Sequence, residues 1–437
     1  MRIVKVNSRT VQKTFRVMRK KRIAQIPASW SRDTSSDTIT QRTFEFKLIT
    51  PMFGGGTESW ILDLHAPLRA QSVKGQLRFW WRTMQTEKDH RKLLYEENSL
   101  WGGKCGTEER VKSLVSIAIN NQKNVNKVEA EMENDYACDG SIVPKYVIFP
   151  ITDKVKDGAK INFVTQLTFT LQVSFPKDQE KVVVDTLKLW CLFGGVGART
   201  RRGTGSLYCS ELMADFESAE TISAFLKQWK LGDVSHCAPY PQLNGSIFAT
   251  QKGSSNDAAD VWRSFLESYG EYRQEPGVGR SKGDGRKPGR SYWPEPDAIR
   301  NITGKSTLRH SKPVNSESWF PRAAFGLPII TRFKDAEDPP ESELKPENGT
   351  RWPSPLILKV IKLNNGDVLK VALVLNHAPP EKIELSYDKS HILTHNERPL
   401  NHTKERVIKS ATSNPQILKD GKTPYEHLIE HLNLKTT

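Results

Sequence analysis

Residues 69 to 82 read Arg-Ala-Gln-Ser-Val-Lys-Gly-Gln-Leu-Arg-Phe-Trp-Trp-Arg, a stretch with an apolar side and a basic side at helical spacing. With Ser72 as N-cap, Val73, Leu77, Trp80 and Met84 fall within a narrow arc at about 100° per residue and predict a buried stripe. Lys74, Arg78, Trp81 and Arg82 fall together on a different arc. A helix that anchors itself by one face and offers three cations and an indole beside it suits a polyanion. The competing reading is a solvated charged face above two core tryptophans.

The rest of the chain favours the first reading. At 437 residues it is long enough for about two or three domains, each with its own core. The formal charge of +15 and pI near 9.4 point to an acidic partner, nucleic acid ahead of an anionic membrane surface. A hydrophobic fraction of 37%, a mean hydropathy of −0.56 and no run of about 18 apolar residues exclude a membrane-spanning helix. The five cysteines (Cys105, Cys138, Cys191, Cys209, Cys237) are scattered, with no C-x-x-C pair to nucleate zinc or redox chemistry. Reduced thiols, a cytoplasmic location, no metal and no cofactor are therefore expected. Residues 1 to 22 hold nine Lys or Arg and no acid, and 23 to 41 are rich in Ser, Thr and Asp. Residues 1 to 42 read as a flexible basic arm and linker, with a transit peptide as the rival.

From Thr43 the pattern is that of a folded domain. Thr43 to Thr50 alternates as a half-buried strand, and Pro51 with Gly54, Gly55 and Gly56 turns the chain. Trp60 to His65 reads as extended and leads into the opening helix. Ser113 to Ile119 alternates as a strand, 120 to 140 as irregular chain, Tyr146 to Ile151 and Ile161 to Phe175 as strands. Asp178 to Phe193 reads as a second helix with Val183, Leu187 and Trp190 inward, ending at Gly194-Gly195 with a left-handed terminus. Ser206 to Met213 closes the domain as a strand. The resulting order, strand, helix, strand, strand, helix, strand, is ferredoxin-like and shared with RNA-recognition folds. Beyond Ala214, Ser246 to Thr250 reads as strand and Ala258 to Tyr272 as helix. Pro355 to Leu363 and Val368 to Leu375 form a hairpin across Asn364-Asn365-Gly366-Asp367, and Tyr425 to Leu434 is a last helix. The expected class is α+β, with two ferredoxin-like (RRM-like) domains in tandem. They span 43 to 213 and 214 to 437, the second diverged and elaborated by a Gly/Arg-rich loop at 274 to 297. That loop, ending at Tyr292 and Trp293, suits single-stranded nucleic acid or is a solvated insertion.

The second informative stretch is Gly194-Gly-Val-Gly-Ala-Arg-Thr-Arg-Arg-Gly-Thr-Gly205. Nucleotide-binding glycine loops run from strand into helix, whereas this one leaves a helix and enters a strand. Thr303-Gly304-Lys305-Ser306 also fails as a P-loop, because position 299 is Ile. Nucleotide triphosphate use is disfavoured. Gly194, Gly195, Gly197, Gly203 and Gly205 would instead let backbone approach a ligand, with Arg199, Arg201 and Arg202 alongside.

At this point the chain resembles a known family. Thr50-Pro51 with Gly54-Gly55-Gly56, the 69 to 82 stretch, Leu100-Trp101-Gly102-Gly103 and the 194 to 205 loop are similar to the RAMP superfamily of CRISPR proteins. Within it, they are most similar to the first-named RAMP subunit of the type III-B, or Cmr, RNA-targeting complex. Phe320 to Pro328 and Arg351 to Leu356 match the family's second half more loosely. The resemblance implies tandem ferredoxin-like domains and a non-catalytic subunit at the guide 3′ end that helps capture target RNA. Its partners would be guide or target RNA and the other RAMP subunits of the Cmr complex, and it would not be an obligate homo-oligomer. Arg69, Lys74, Arg78, Arg82, Arg199, Arg201 and Arg202 are then expected to neutralise phosphates, with Trp81 placed to stack on a base and Trp80 in the core. Some RAMP relatives are metal-independent ribonucleases, and His65 with Asp63 on one side of a strand is the candidate acid or base for that alternative. A scaffold that binds only proteins is the third reading.

Overall fold

The alternation after Thr43 folds as β1 (Ile39–Leu48), with Phe44, Phe46 and Leu48 turned inward. The structure is a computed structural model that describes residues 38–54, 62–63, 66–105, 109–130, 132–133, 136–137, 143–148, 161–229, 238–274, 289–310, 320–380, 382–387, 405–410 and 422–436. The expected basic arm up to residue 37, Gly55, Gly56, most of Trp60 to His65, and residues 275–288 of the Gly/Arg-rich loop lie outside the described residues. The expected linker is shorter by a few residues, since β1 already begins at Ile39.

The 69 to 82 stretch forms α1 (Ala70–Thr83), and α2 (His90–Trp101) follows. Ser72 is not the cap. Its N–H donates to the Arg69 carbonyl at 3.0 Å, so Arg69 is the N-cap and Ser72 lies in the first turn. Then come β2 (Ser116–Ala130), β3 (Ile161–Pro176), α3 (Glu180–Phe193) and β4 (Leu207–Tyr208). Three expectations fail here. Residues 120 to 130 are strand rather than irregular chain, because they pair antiparallel with β3 as far as Ala130 opposite Ile161. Tyr146 sits in a short helix, Lys145–Ile148, started by Pro144, whose carbonyl accepts from the Val147 N–H. Only Leu207 and Tyr208 of the closing strand are extended; Met213 N–H already folds back onto the Cys209 carbonyl. The sheet path is β2–β3–β1–β4, with the short strand Met52–Phe53 also on β3.

A second unit repeats this plan: β5 (Gln242–Lys252), α4 (Ala258–Gln274), β6 (Leu356–Lys362), β7 (Val368–Asn376), α5 (Pro424–His431) and β8 (Lys435–Thr436). Its path, β6–β7–β5–β8, is again second, third, first, fourth, with every pairing antiparallel. Gly366 turns the β6–β7 hairpin at φ 91°. Two insertions into this unit build a separate antiparallel sheet, Ile329–Thr331, Ser342–Pro346, Lys382–Tyr387 and Glu405–Ser410. The molecule is mixed α and β.

The second sheet is covered on both faces. Phe248, Ile357, Ile361, Val371 and Leu373 join one core with α1, α3 and the first sheet, while Ala249, Leu358, Val360, Ala372 and Val374 join another with α4 and α5. Two-sided burial is why β6 and β7 are nearly continuous apolar runs. Aromatic contacts mark the path from sheet to sheet: Phe169 stacks on Phe46 at 5.2 Å, Phe46 meets Trp190 at 5.1 Å, and Phe193 meets both Trp80 and Phe248 at 6.0 Å. Helix Ala219–Lys227 adds Ile222, Phe225 and Leu226 to the same core, so the first core continues past residue 213. Thr40–Thr437 form one compact unit.

One polar residue interrupts this interior. Lys359, central in β6 and fully buried, donates to the Cys191 carbonyl at 2.9 Å and to the Gly194 carbonyl, the C-terminal end of α3. Burial lowers the Lys359 ammonium from lysine's usual 10.5 to about 7. Between those values the unfolded chain holds a proton that the folded chain has released, so stability from this group rises with pH across that window and is flat below it. Urea unfolding of the wild type and Lys359→Met checks this: the difference between them should move in favour of the wild type from about pH 7 to about pH 10. A pH-independent difference would mean the lysine stays charged throughout.

Candidate nucleic-acid interface

The core stripe of α1 is wider than the spacing predicts. Val73, Leu77, Trp80, Trp81 and Thr83 are all buried, and Trp81 is only 6% exposed. Trp81 therefore belongs to the core and is not presented for stacking on a base. It lies about 40° beyond Leu77 on the helix, close enough to the stripe to be taken in with it. Trp80 is in the core, as expected.

The cations of α1 are held by α2, a helix the sequence reading did not find. Asp89 caps it, accepting from the Arg91 N–H at 2.8 Å and the Lys92 N–H at 3.4 Å. It places Glu97, a buried carboxylate, against α1. Arg78 Nε donates to Glu97 Oε1 at 2.5 Å, its Nη1 to the Gly102 carbonyl at 2.9 Å and its Nη2 to Asn98 Oδ1 at 2.8 Å. Arg82 Nε lies 3.5 Å from Glu97 Oε2 with its side chain 45% exposed. Lys74 Nζ donates to Ser113 Oγ at 2.6 Å and to the Val115 carbonyl at 3.3 Å. Burial and the neighbouring Arg78 charge hold its ammonium below lysine's usual range. Among the described residues no carboxylate lies within ion-pair distance of Lys74. Arg69 is exposed at the head of the helix.

The glycine-rich loop is a joint between the two units. Val196 N–H donates to the Gly205 carbonyl at 2.9 Å, Ala198 N–H to Phe53 at 2.7 Å, and Gly205 N–H to Pro51 at 2.9 Å. Thr50 Oγ1 donates to the Gly203 carbonyl at 2.6 Å and accepts from the Ser206 N–H at 2.8 Å. Gly194 is not left-handed, at φ −87°, contrary to expectation. Glycine is required there by crowding, since a Cβ would lie 2.4 Å from Trp190 Cδ1 and 2.7 Å from Trp80 Nε1. At Gly205, φ 63°, a Cβ would fall 1.9 Å from the Val196 carbonyl oxygen, and at Gly203, φ 71°, it would meet Trp262. Gly195 and Gly197 pack as closely on backbone and on Met52.

Its arginines are largely internal. Arg202 Nη1 donates to the Leu356 carbonyl at 2.9 Å, with its guanidinium 5.3 Å from the Tyr269 ring centroid. Arg201 donates to the Ser354 carbonyl and stacks over Phe79 of α1 at 5.4 Å; burial and Arg202 lower it to about 10. Arg199, left-handed at φ 59°, donates to the Tyr146 carbonyl at 3.3 Å. Burial pushes the Tyr146 hydroxyl up, but Arg273, Arg202 and Arg199 together bring it down to about 8. The loop and α1 do meet, through Arg201 and Phe79. Phe79 lies about 100° around the helix from Arg78, so the loop arginines and the Lys74 side occupy opposite flanks of the exposed face.

His65 lies outside the described residues; Asp63 accepts from the Ala66 N–H at 3.3 Å. Among the described residues one group of three metal-ligand types comes together, His310, Asp335 and Asp338. Asp338 already receives Arg300 Nε at 2.9 Å and Nη2 at 2.8 Å, so a guanidinium occupies that position. No helix among the described residues is long and apolar enough to cross a membrane.

The geometry predicts unequal roles for the charges around Glu97. Glu97→Ala leaves the half-buried Arg78 without its carboxylate and should cost about 3 kcal/mol in a denaturant melt. Arg82→Ala removes a longer, exposed pair and should cost less than about 1 kcal/mol. Equal losses would show that Arg78 does not depend on this pair.

Comparison with known proteins bears on this same unit. The RAMP superfamily model matches residues 45–208. The CRISPR system Cmr subunit Cmr1-1 of Pyrococcus furiosus is 30% identical over 147 residues, which cover 32% of this chain. The chain spans 40% of the length of that curated relative. The apo crystal structure of Cmr1 from Pyrococcus furiosus aligns with 77% of this chain and 88% of its own, at 20% identity and a TM-score of 0.44. A type III-B Cmr-beta structure bound to cognate target RNA aligns with 77% of this chain and 94% of its own, at 13% identity and a TM-score of 0.43. The RAMP superfamily match thus falls within the first unit, from β1 to β4, and the chain is similar to the Cmr1 subunit of CRISPR systems.

Proposed function

We propose that this chain is a non-catalytic RNA-binding subunit of a type III-B CRISPR RNA-guided effector complex. In this reading it sits at the guide 3′ end, works in the cytoplasm beside the other Cmr subunits, and helps capture target RNA. It is not an obligate homo-oligomer. The two βαββαβ units are ferredoxin-like domains in tandem, 43 to 213 and 214 to 437, preceded by a basic arm. The observation that carries the reading is a coincidence of boundaries: the RAMP match, 45–208, spans the unit that holds α1 and its cations. The overall charge of +15 agrees with a polyanionic ligand.

The RNA-facing set is Arg69, Lys74, Arg78 and Arg82. Lys74 is the strongest member, because among the described residues its charge has no carboxylate beside it and its partners are a hydroxyl and a carbonyl. Arg78 contributes more as a positioning residue for α1 than as a phosphate clamp. Arg201 and Arg202 would have to release the Ser354 and Leu356 carbonyls to reach a phosphate, so they act chiefly in holding the two units together, while Arg199 would have to release the Tyr146 carbonyl of its own unit.

The full chain should bind a labelled single-stranded RNA with an affinity that falls by about 0.7 log units per decade of salt for each phosphate contacted. Lys74→Met and Arg82→Ala should each lower that slope by about one contact's worth. No retention of RNA at low salt would sink the assignment. In EDTA the RNA should stay intact through the incubation, and specific cleavage would return the ribonuclease reading.

A further inference from the structure

Gly75 is out of place. It lies in the interior of α1, where glycine is less favourable than alanine because of its backbone freedom. Several glycines of this unit answer to crowding: a Cβ at Gly103, Gly194 or Gly205 would collide with protein atoms. A Cβ at Gly75 would meet nothing within 4 Å. Its backbone is right-handed helix, so neither strain nor packing calls for glycine there.

The space beside it is a pocket of about 370 Å³, open at the surface between α1 and the turn that ends α2. That is within the usual size of small-ligand sites, about 300 to 1,000 Å³. Glycine forms its wall on both sides, Gly75 on α1 and Gly102-Gly103 after α2, and Trp101 and Ser113 line it as well. Lys74 and Arg78 stand along it, Lys74 with no carboxylate partner among the described residues. A slot of this size, bounded on α1 by bare glycine backbone and flanked by Lys74 and Arg78, suits a flat ring joined to a phosphate.

We propose that this pocket holds one nucleobase turned out of a single RNA strand, with the base lying against the Gly75 backbone and the adjoining phosphate beside Lys74. The proposal rests on the RNA-binding reading above and adds base recognition to it. A turned-out base is how proteins read single strands, through stacking and edge hydrogen bonds. The base would fill the position where any other residue at 75 would project a side chain. The Gly102 N–H and carbonyl are already taken by Asn98 and Arg78, so the contacts fall on the face of the ring at Gly75 and on the phosphate at Lys74.

The test uses the full chain, a labelled RNA oligonucleotide, and a matching oligonucleotide whose residues are abasic. The wild type should bind the base-bearing RNA about tenfold more tightly than the abasic one. Gly75→Leu fills the pocket without displacing protein, so it should keep or raise the thermal midpoint. It should also bring RNA binding down to the abasic level, with the salt slope unchanged. Gly75→Ala should fall between the two. Equal binding of RNA by wild type and Gly75→Leu would overturn the pocket while leaving the RNA-binding reading intact. A lowered salt slope in Gly75→Leu would make the pocket a phosphate site and equally overturn base recognition. If the wild type binds neither oligonucleotide, the RNA-binding reading itself fails and the pocket proposal goes with it.

Discussion

A buried lysine ties the two halves of this molecule. Lys359 extends from the middle of the second sheet to the carbonyls of Cys191 and Gly194, where α3 of the first unit runs out of intrahelical donors. A helix end inside a core must find donors, and here the neighbouring domain's strand supplies them. The arrangement fixes the register between β6 and α3, because a shift of one residue along β6 would put the lysine on the opposite face of the sheet. It also sets where the glycine-rich loop begins, since Gly194 is both the acceptor for Lys359 and the first residue of that loop. The Cys191 thiol next to it is pushed up to about 12 by burial, so it stays neutral and adds no charge to the joint.

From that anchor the loop has little freedom. It is held to Pro51 and Phe53 on one side and to Ser354 and Leu356 on the other, so each of its arginines meets carbonyl oxygens before it can meet a ligand. Burying guanidinium groups against neutral acceptors leaves a positive interior, and the lowered Tyr146 hydroxyl is its signature. The α1 flank is built differently. There a single buried carboxylate, Glu97, faces Arg78 and Arg82, and Lys74 is left with a hydroxyl and a carbonyl. Surface cations therefore remain on α1, while the loop cations mostly serve to join the units.

Much of the architecture was legible before any coordinates. The alternation in β1 and β3, the stripe in α1 and α3, and the Asn-Asn-Gly-Asp hairpin are strong local signals whose tertiary partners agree with them. The strand status of 120 to 130 was hidden because those residues are polar and owe their conformation to pairing with β3. Helix α2 was hidden because its buried face includes Glu97 and Asn98, which hydropathy counts against a core. Once α2 was missed, the partner that holds Arg78 could not be seen. Trp81 was misassigned for a related reason: helical angle separates faces, but how wide the buried arc is depends on how many elements pack around the helix.

The glycines show most clearly where sequence reasoning stops. A glycine-rich run says that something must come close to the backbone, without saying whether it is ligand or protein. Between 194 and 205 it is protein: Trp190, Trp80, Val196, Met52 and Trp262 stand where side chains would go. Gly75, a lone glycine in a helix that composition would pass over, has empty space before it, as do Gly304, Gly349 and Gly366 outside the helices. A dense cluster of glycines is thus weaker evidence for a ligand than one glycine whose absent side chain nothing in the protein replaces. By that criterion the proposed binding surface is centred on α1 and the turn after α2, where Gly75 faces an open pocket and Lys74 has no carboxylate partner among the described residues. The loop that attracts the eye in the sequence lies behind it, as the joint that holds α1 in place.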